Sequence, residues 1–135
     1  MTLALENDDV ARVWAGMLAK GDKPKFMDFP SAVYAMHPFD TVKADGRTVG
    51  LSTWIGYSFN EGKMLTLAML EPDAAEPGTE VILVWGEPDG GTSKPTVESH
   101  VQTELRAIVS PIPYAETARK VYADSSWRTN QPENA

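Results

Sequence analysis

Two histidines, His37 and His100, are the side chains of this sequence that ordinarily titrate near neutral pH, and they open the search for acid–base or metal chemistry. His37 precedes Pro38 and lies three residues from Asp40, so a His–Asp pair is one reading. His100 has Glu98 and Glu104 on either side, ahead of an apolar run, and a solvated surface position is the simpler account. Neither histidine has a second one beside it. The chain has no cysteine, so thiolate zinc sites, iron–sulfur ligation, disulfides and cysteine nucleophiles are all excluded. No catalytic residue and no metal ligand are assigned. Arg106 and Arg119 are the side chains best shaped to grip a carboxylate, because the guanidinium fork matches its two oxygens. An ion pair with one of the 19 acidic residues is the competing reading for each. Trp54, Tyr57 and Phe59 surround Gly56, and Trp54 and Tyr57 are candidates for stacking a flat ligand such as a pterin or a nucleobase. Core filling competes with that reading, since aromatic residues favour strands anyway. Gly90-Gly91 follows an apolar strand, where phosphate cradles occur, but no Lys-Ser/Thr signature completes a P-loop. A hairpin loop accounts for the glycines more simply.

These residues need elements to position them. Val10, Val13, Trp14, Met17 and Leu18 recur at helical spacing, which predicts a helix over 7–20 with those residues on one buried face. Asn7 is the expected N-cap, Asp8 and Asp9 suit the positive end of the helix dipole, and Gly21 supplies the stop. Residues 21–33 read as an extended connector with Pro24 and Pro30. Alternating apolar runs follow at 39–43, 47–58, 64–70, 80–85 and 105–109, separated by Asp45-Gly46, Asn60–Lys63, a Pro/Gly loop at 72–79 and a glycine-rich loop at 86–94. The expectation is a mainly β fold: a small antiparallel Greek-key or jelly-roll-like barrel of about six strands. It would occupy 34–112 of a single domain spanning 1–135, with a short helix near 115–122 in a tail at 113–135 and frayed residues at 130–135.

The 135 residues carry 12 basic and 19 acidic side chains, a net charge of −7. Such a surface repels phosphate backbones and anionic lipid, so neither nucleic acid nor membrane is an expected partner. No apolar run reaches the ~20 residues that span a bilayer, and the first residues lack a secretory pattern. A soluble, cytoplasmic domain is expected.

The succession FDTVKADGRTVGLSTWIGYS (39–58), LTLAML (65–70), PGTEVILV (77–84) and IVSPIPY (108–114) resembles the C-terminal barrel domain of the glycine-cleavage T-protein (aminomethyltransferase) superfamily. Asn7-Asp8-Asp9-Val10, the Trp85-Gly86-Glu87-Pro88 turn with Gly90-Gly91, Glu104-Leu105-Arg106-Ala107 and the Tyr122…Trp127-Arg128 tail look most similar to tetrahydrofolate-dependent O-demethylases of methoxybenzoates such as vanillate and syringate. The resemblance implies tetrahydrofolate as cofactor and an N-terminal catalytic part as partner, in the same enzyme or a separate subunit, with this chain inactive alone. It places Arg119, beyond Pro113-Tyr114, towards the folate tail; Tyr114 matches the motif as a packing residue. Two further readings stand beside it: a stand-alone module that binds an aromatic or pterin ligand at Trp54 and Tyr57, and a homo-dimer that covers an apolar patch without ligand.

Overall fold

Asp45 and Gly46 both adopt positive φ, 48° and 75°, which is the backbone that a tight type I′ hairpin turn demands. That turn joins β2 (Asp40–Ala44) to β3 (Arg47–Ser58), and a second hairpin joins β3 to β4 (Lys63–Leu70). A computed structural model describes residues 1–30, 39–91, 93, 95–123 and 128. The expectations for His37, Trp127, residues 31–33 of the connector and residues 130–135 lie outside the described residues. With β1 (Thr2–Leu5), β5 (Glu80–Trp85) and β6 (Thr103–Ser110), the strands close into an antiparallel barrel in the order β1-β4-β3-β2-β5-β6. The β2–β3–β4 meander with β1 returning beside β4 is a Greek key. Mainly β, six strands, a helix near the start and a short π-helical segment at Ala118–Tyr122 agree with the sequence expectation.

The expectation omitted β1. Thr2–Leu5 pairs with β4 on one side and β6 on the other, so the barrel begins at Thr2 rather than near residue 34. All four residues are buried, with Leu3 and Leu5 in the core. Four residues are too few for a period to stand out, and only tertiary pairing reveals them as a strand.

Inward positions alternate as a pleated strand requires: Val81, Leu83 and Trp85 on β5, and Leu105, Ala107 and Val109 on β6. On β3 the buried residues Val49, Ser52 and Ile55 are three apart, because the register shifts once against β2 and once against β4. Each bulge inserts one residue and turns the following side chains to the other face. Ser52 therefore points inward, its Oγ 2.5 Å from Thr66 Oγ1, whereas Trp54 does not share its face as strict alternation required.

α1 (Asn7–Leu18) buries Val10 and Val13, but Trp14 is partly exposed and Leu18 is 86% exposed, so its buried face is narrower than the sequence pattern implied. Glu6, not Asn7, is the N-cap; the Asn7 amide instead donates to the Gly62 carbonyl (3.2 Å) and ties α1 to the β3–β4 turn. The antiparallel order brings the C-terminal ends of β1, β3 and β5 and the N-terminal ends of β2, β4 and β6 to one end of the barrel, and α1 and the 21–30 segment lie there. Gly46 tests the hairpin without side-chain complications, since a Cβ there would meet nothing within 4 Å. Gly46→Ala should lower stability by about 1 kcal/mol, the penalty for a left-handed alanine, seen as ~4 °C in Tm. An unchanged Tm would show that the turn relaxes to another type.

Candidate functional site

The densest group of ionisable side chains sits at the end where α1 lies. Lys25 and Met27, in a segment that reads as a mere connector, are fully buried. The Lys25 ammonium lies 3.1 Å from Glu87 Oε1 and 3.5 Å from Asp40 Oδ1, and 4.6 Å from the centre of the Trp85 ring. Trp85 Nε1 donates to the Lys25 carbonyl (3.0 Å), so the same residue is held through backbone and side chain. Asp40 Oδ1 accepts from the Gly86 N–H (2.9 Å), while its Oδ2 is buried without a hydrogen-bond partner. Burial pushes the Asp40 carboxyl above its ordinary range; Lys25 and the Gly86 N–H pull the other way, and Glu87 adds to the rise.

His100 belongs to this group, which corrects the expectation of a solvated surface histidine. Its ring is buried: Nδ1 is 2.8 Å from the Glu98 carbonyl, and Nε2 accepts from the Glu87 N–H (3.0 Å) with Glu87 Oε2 at 3.1 Å. The glycine loop exists to let it in. A Cβ on Gly86 would sit 2.9 Å from the His100 ring, and one on Gly90 or Gly91 would sit 2.9 Å from the carbonyl of His100 or Glu98. The Gly90 and Gly91 N–H groups are already given to the Glu87 carbonyl and to Asp89 Oδ1, both 3.0 Å, so they do not form a phosphate cradle. Chemically the cluster is a sealed ionic clasp. Its side chains are 0–11% exposed, which locks the 21–30 segment to β2, β5 and the loop after β5.

Arg106 does grip a carboxylate, but an internal one. Asp9 on α1 is buried and takes Arg106 Nε (2.9 Å), Nη2 (3.0 Å) and backbone N–H (2.8 Å), plus Arg12 Nη1 (2.7 Å). The Arg106 hydrogen bonds hold the Asp9 carboxyl far below the usual carboxylate range, against the opposing effect of its burial. Arg119 donates from Nη1 to the carbonyls of Pro113 (2.6 Å) and Tyr114.

Trp54 and Tyr57 both line a shallow groove of about 350 Å³, but their side chains leave β3 on opposite faces. Trp54 pairs with Leu67 on the outside of the barrel and is half exposed; Tyr57 packs towards the core and against Phe29, with ring centres 4.8 Å apart. Phe29 in turn meets Trp14 edge-on at 5.3 Å. Trp14, Phe29 and Tyr57 line an open cleft of about 510 Å³ between α1 and the β3–β4 hairpin, with Val10, Met64 and Asn7. Residues 14, 29 and 57 are too far apart in the chain for spacing to unite them.

No family model matches the chain. Compared with individual proteins, 97% of it aligns with syringate O-demethylase of Sphingobium sp. (strain NBRC 103272 / SYK-6) at 60% identity over 131 residues. The chain is a relative of syringate O-demethylase. It is also 34% identical, over 125 residues and 84% of its length, to sesamin methylene transferase of Sinomonas sp. (strain No.22). It spans 28% and 25% of those two proteins, respectively. Among the described residues no helix is long and apolar enough to cross a membrane, and no group of three or more His, Asp or Glu side chains could hold a metal ion.

Proposed function

We propose that this chain is the barrel part of a tetrahydrofolate-dependent methyl or methylene transferase of the aryl O-demethylase kind, packing against a catalytic body and helping to close the folate site. The observation that carries this reading is near-complete alignment at 60% identity to a protein of which the chain spans little more than a quarter. Transfer of a methyl group from an aryl ether requires a proton for the departing phenolic oxygen and an acceptor held in line with the methyl carbon. Tetrahydrofolate supplies the acceptor, its N5. The ionisable clasp of this barrel is sealed and its cleft is open, so the acid and the enclosure belong to the body. Arg119 fits one end of the cofactor: with Nη1 fixed by the Pro113 and Tyr114 carbonyls, its Nε–Nη2 edge suits a carboxylate of the folate tail.

Titration calorimetry of the chain with tetrahydrofolate, and separately with a methoxybenzoate, tests the division of labour. Neither should give heat with the chain alone. Grafted in place of the matched region of syringate O-demethylase, the chain should support folate-dependent demethylation, and Arg119→Ala should raise the folate KM about tenfold, the effect of one charge-assisted contact. Micromolar folate binding by the isolated chain, about −8 kcal/mol, would instead favour the stand-alone module.

A further inference from the structure

A closed barrel has no free strand edge, so a partner must be met through side chains on its outer face. One part of that face is apolar. Leu51 lies directly across from Met69, and Trp54 from Leu67, on the hydrogen-bonded pair β3–β4. Leu51 and Leu67 are 39% and 43% exposed, Trp54 and Met69 51% and 63%, and Ile112 beside them 55%. Two shallow grooves flank the row. One, of about 500 Å³, runs by Leu51, Met69 and Leu70; the other, of about 350 Å³, runs by Trp54, Leu67, Ile112, Pro113 and Tyr114. Contiguous exposed apolar surface of this kind marks an interaction site more often than an ordinary surface.

We infer that this outer β3–β4 face, with Leu51, Trp54, Leu67, Met69 and Ile112, is where the catalytic body docks. The inference rests on the reading above that such a body packs against the barrel. Three observations select that occupant. Nearly three quarters of the aligned O-demethylase lies outside the matched region, so a large partner surface exists in that protein. A second copy of this chain would bring another net charge of −7 against the first, which opposes self-association. The second groove ends at Pro113 and Tyr114, whose carbonyls hold Arg119, so a body seated here would lie beside the arginine proposed to face the folate tail.

The experiment uses the chimera of syringate O-demethylase carrying this chain, and the isolated chain beside it. Leu67→Lys and Met69→Lys are compared with Leu18→Lys, on the exposed end of α1 and away from the face. The chimera should unfold in one calorimetric transition. Each face variant should split it into two and lower turnover about tenfold or more, as a charge buried at an interface centre does. Leu18→Lys should do neither, and the isolated variants should melt with the unaltered chain. If both face variants keep a single transition and full turnover, docking occurs elsewhere and the inference is overturned. An unaltered chimera whose barrel melts independently overturns the body-packing reading, and this inference with it. A dimer of the isolated chain that Leu67→Lys dissolves would assign the face to a second copy instead and also overturn it.

Discussion

Lys25→Met is expected to destabilise the fold by about 3–5 kcal/mol, seen as a fall in Tm of ~10–20 °C. The methionine fills the space, so the loss is electrostatic rather than volumetric. Without the ammonium, the carboxylates of Asp40 and Glu87 face each other at the buried barrel end with their common cation gone. Asp40 is already disfavoured as an anion by burial, and Glu87 pushes in the same direction. Removing one partner of a buried pair leaves an uncompensated charge, whereas replacing the whole group by neutral residues can be nearly free. Lys25→Met/Asp40→Asn/Glu87→Gln should therefore recover much of what Lys25→Met loses. Guanidinium unfolding followed by circular dichroism measures both. A loss under about 1 kcal/mol for Lys25→Met, the value of an exposed pair, would show that the clasp does not hold the 21–30 segment.

Asp9→Asn should cost about 2–3 kcal/mol, because a carboxylate that accepts four N–H bonds becomes an amide that cannot accept them all. The clamp joins α1 to β6, so its loss also loosens the helix that closes one end of the barrel. Its pH dependence follows from the direction of the shift. The folded Asp9 carboxyl titrates well below its unfolded value of 3.8, so its stabilisation is complete above that value and fades as pH falls towards the folded one. Asp40 acts with the opposite sign: its folded carboxyl titrates above 3.8, so stability from this group declines as pH rises through that range. Urea midpoints between pH 3 and 7 should show the gap between the unaltered chain and Asp9→Asn narrowing towards acid. In Asp40→Asn the opposing slope should vanish. A gap independent of pH would show that Asp9 contributes through packing and not through its charge.

Much of the barrel was legible from local signals. Asp45-Gly46 names its own turn, because two successive positive φ angles admit few residue pairs, and the alternation of β5 and β6 is strong enough to stand without tertiary help. α1 was legible too, although its exposed Leu18 shows that a helical apolar stripe predicts a face and not what covers it. The order of the motifs along the chain carried the kinship with syringate O-demethylase, since order survives where no single motif is distinctive.

Tertiary structure alone decided what the charged and aromatic residues do. Lys25 looks like a solvated lysine in a proline-flanked linker, and His100 like a surface histidine among acids; both are buried because partners 13 to 62 residues away converge on them at one end of the barrel. Arg106 reads equally as a ligand grip and as half of an ion pair until Asp9, 97 residues earlier, is seen beside it. Ser52 and Trp54 are turned to opposite faces because a bulge resets which way β3 points, and one inserted residue leaves no mark in composition or period. Local propensity and alternation act over a few residues and are written in the chain. Burial of a charge, or the facing of two rings, depends on strands distant in sequence closing around it.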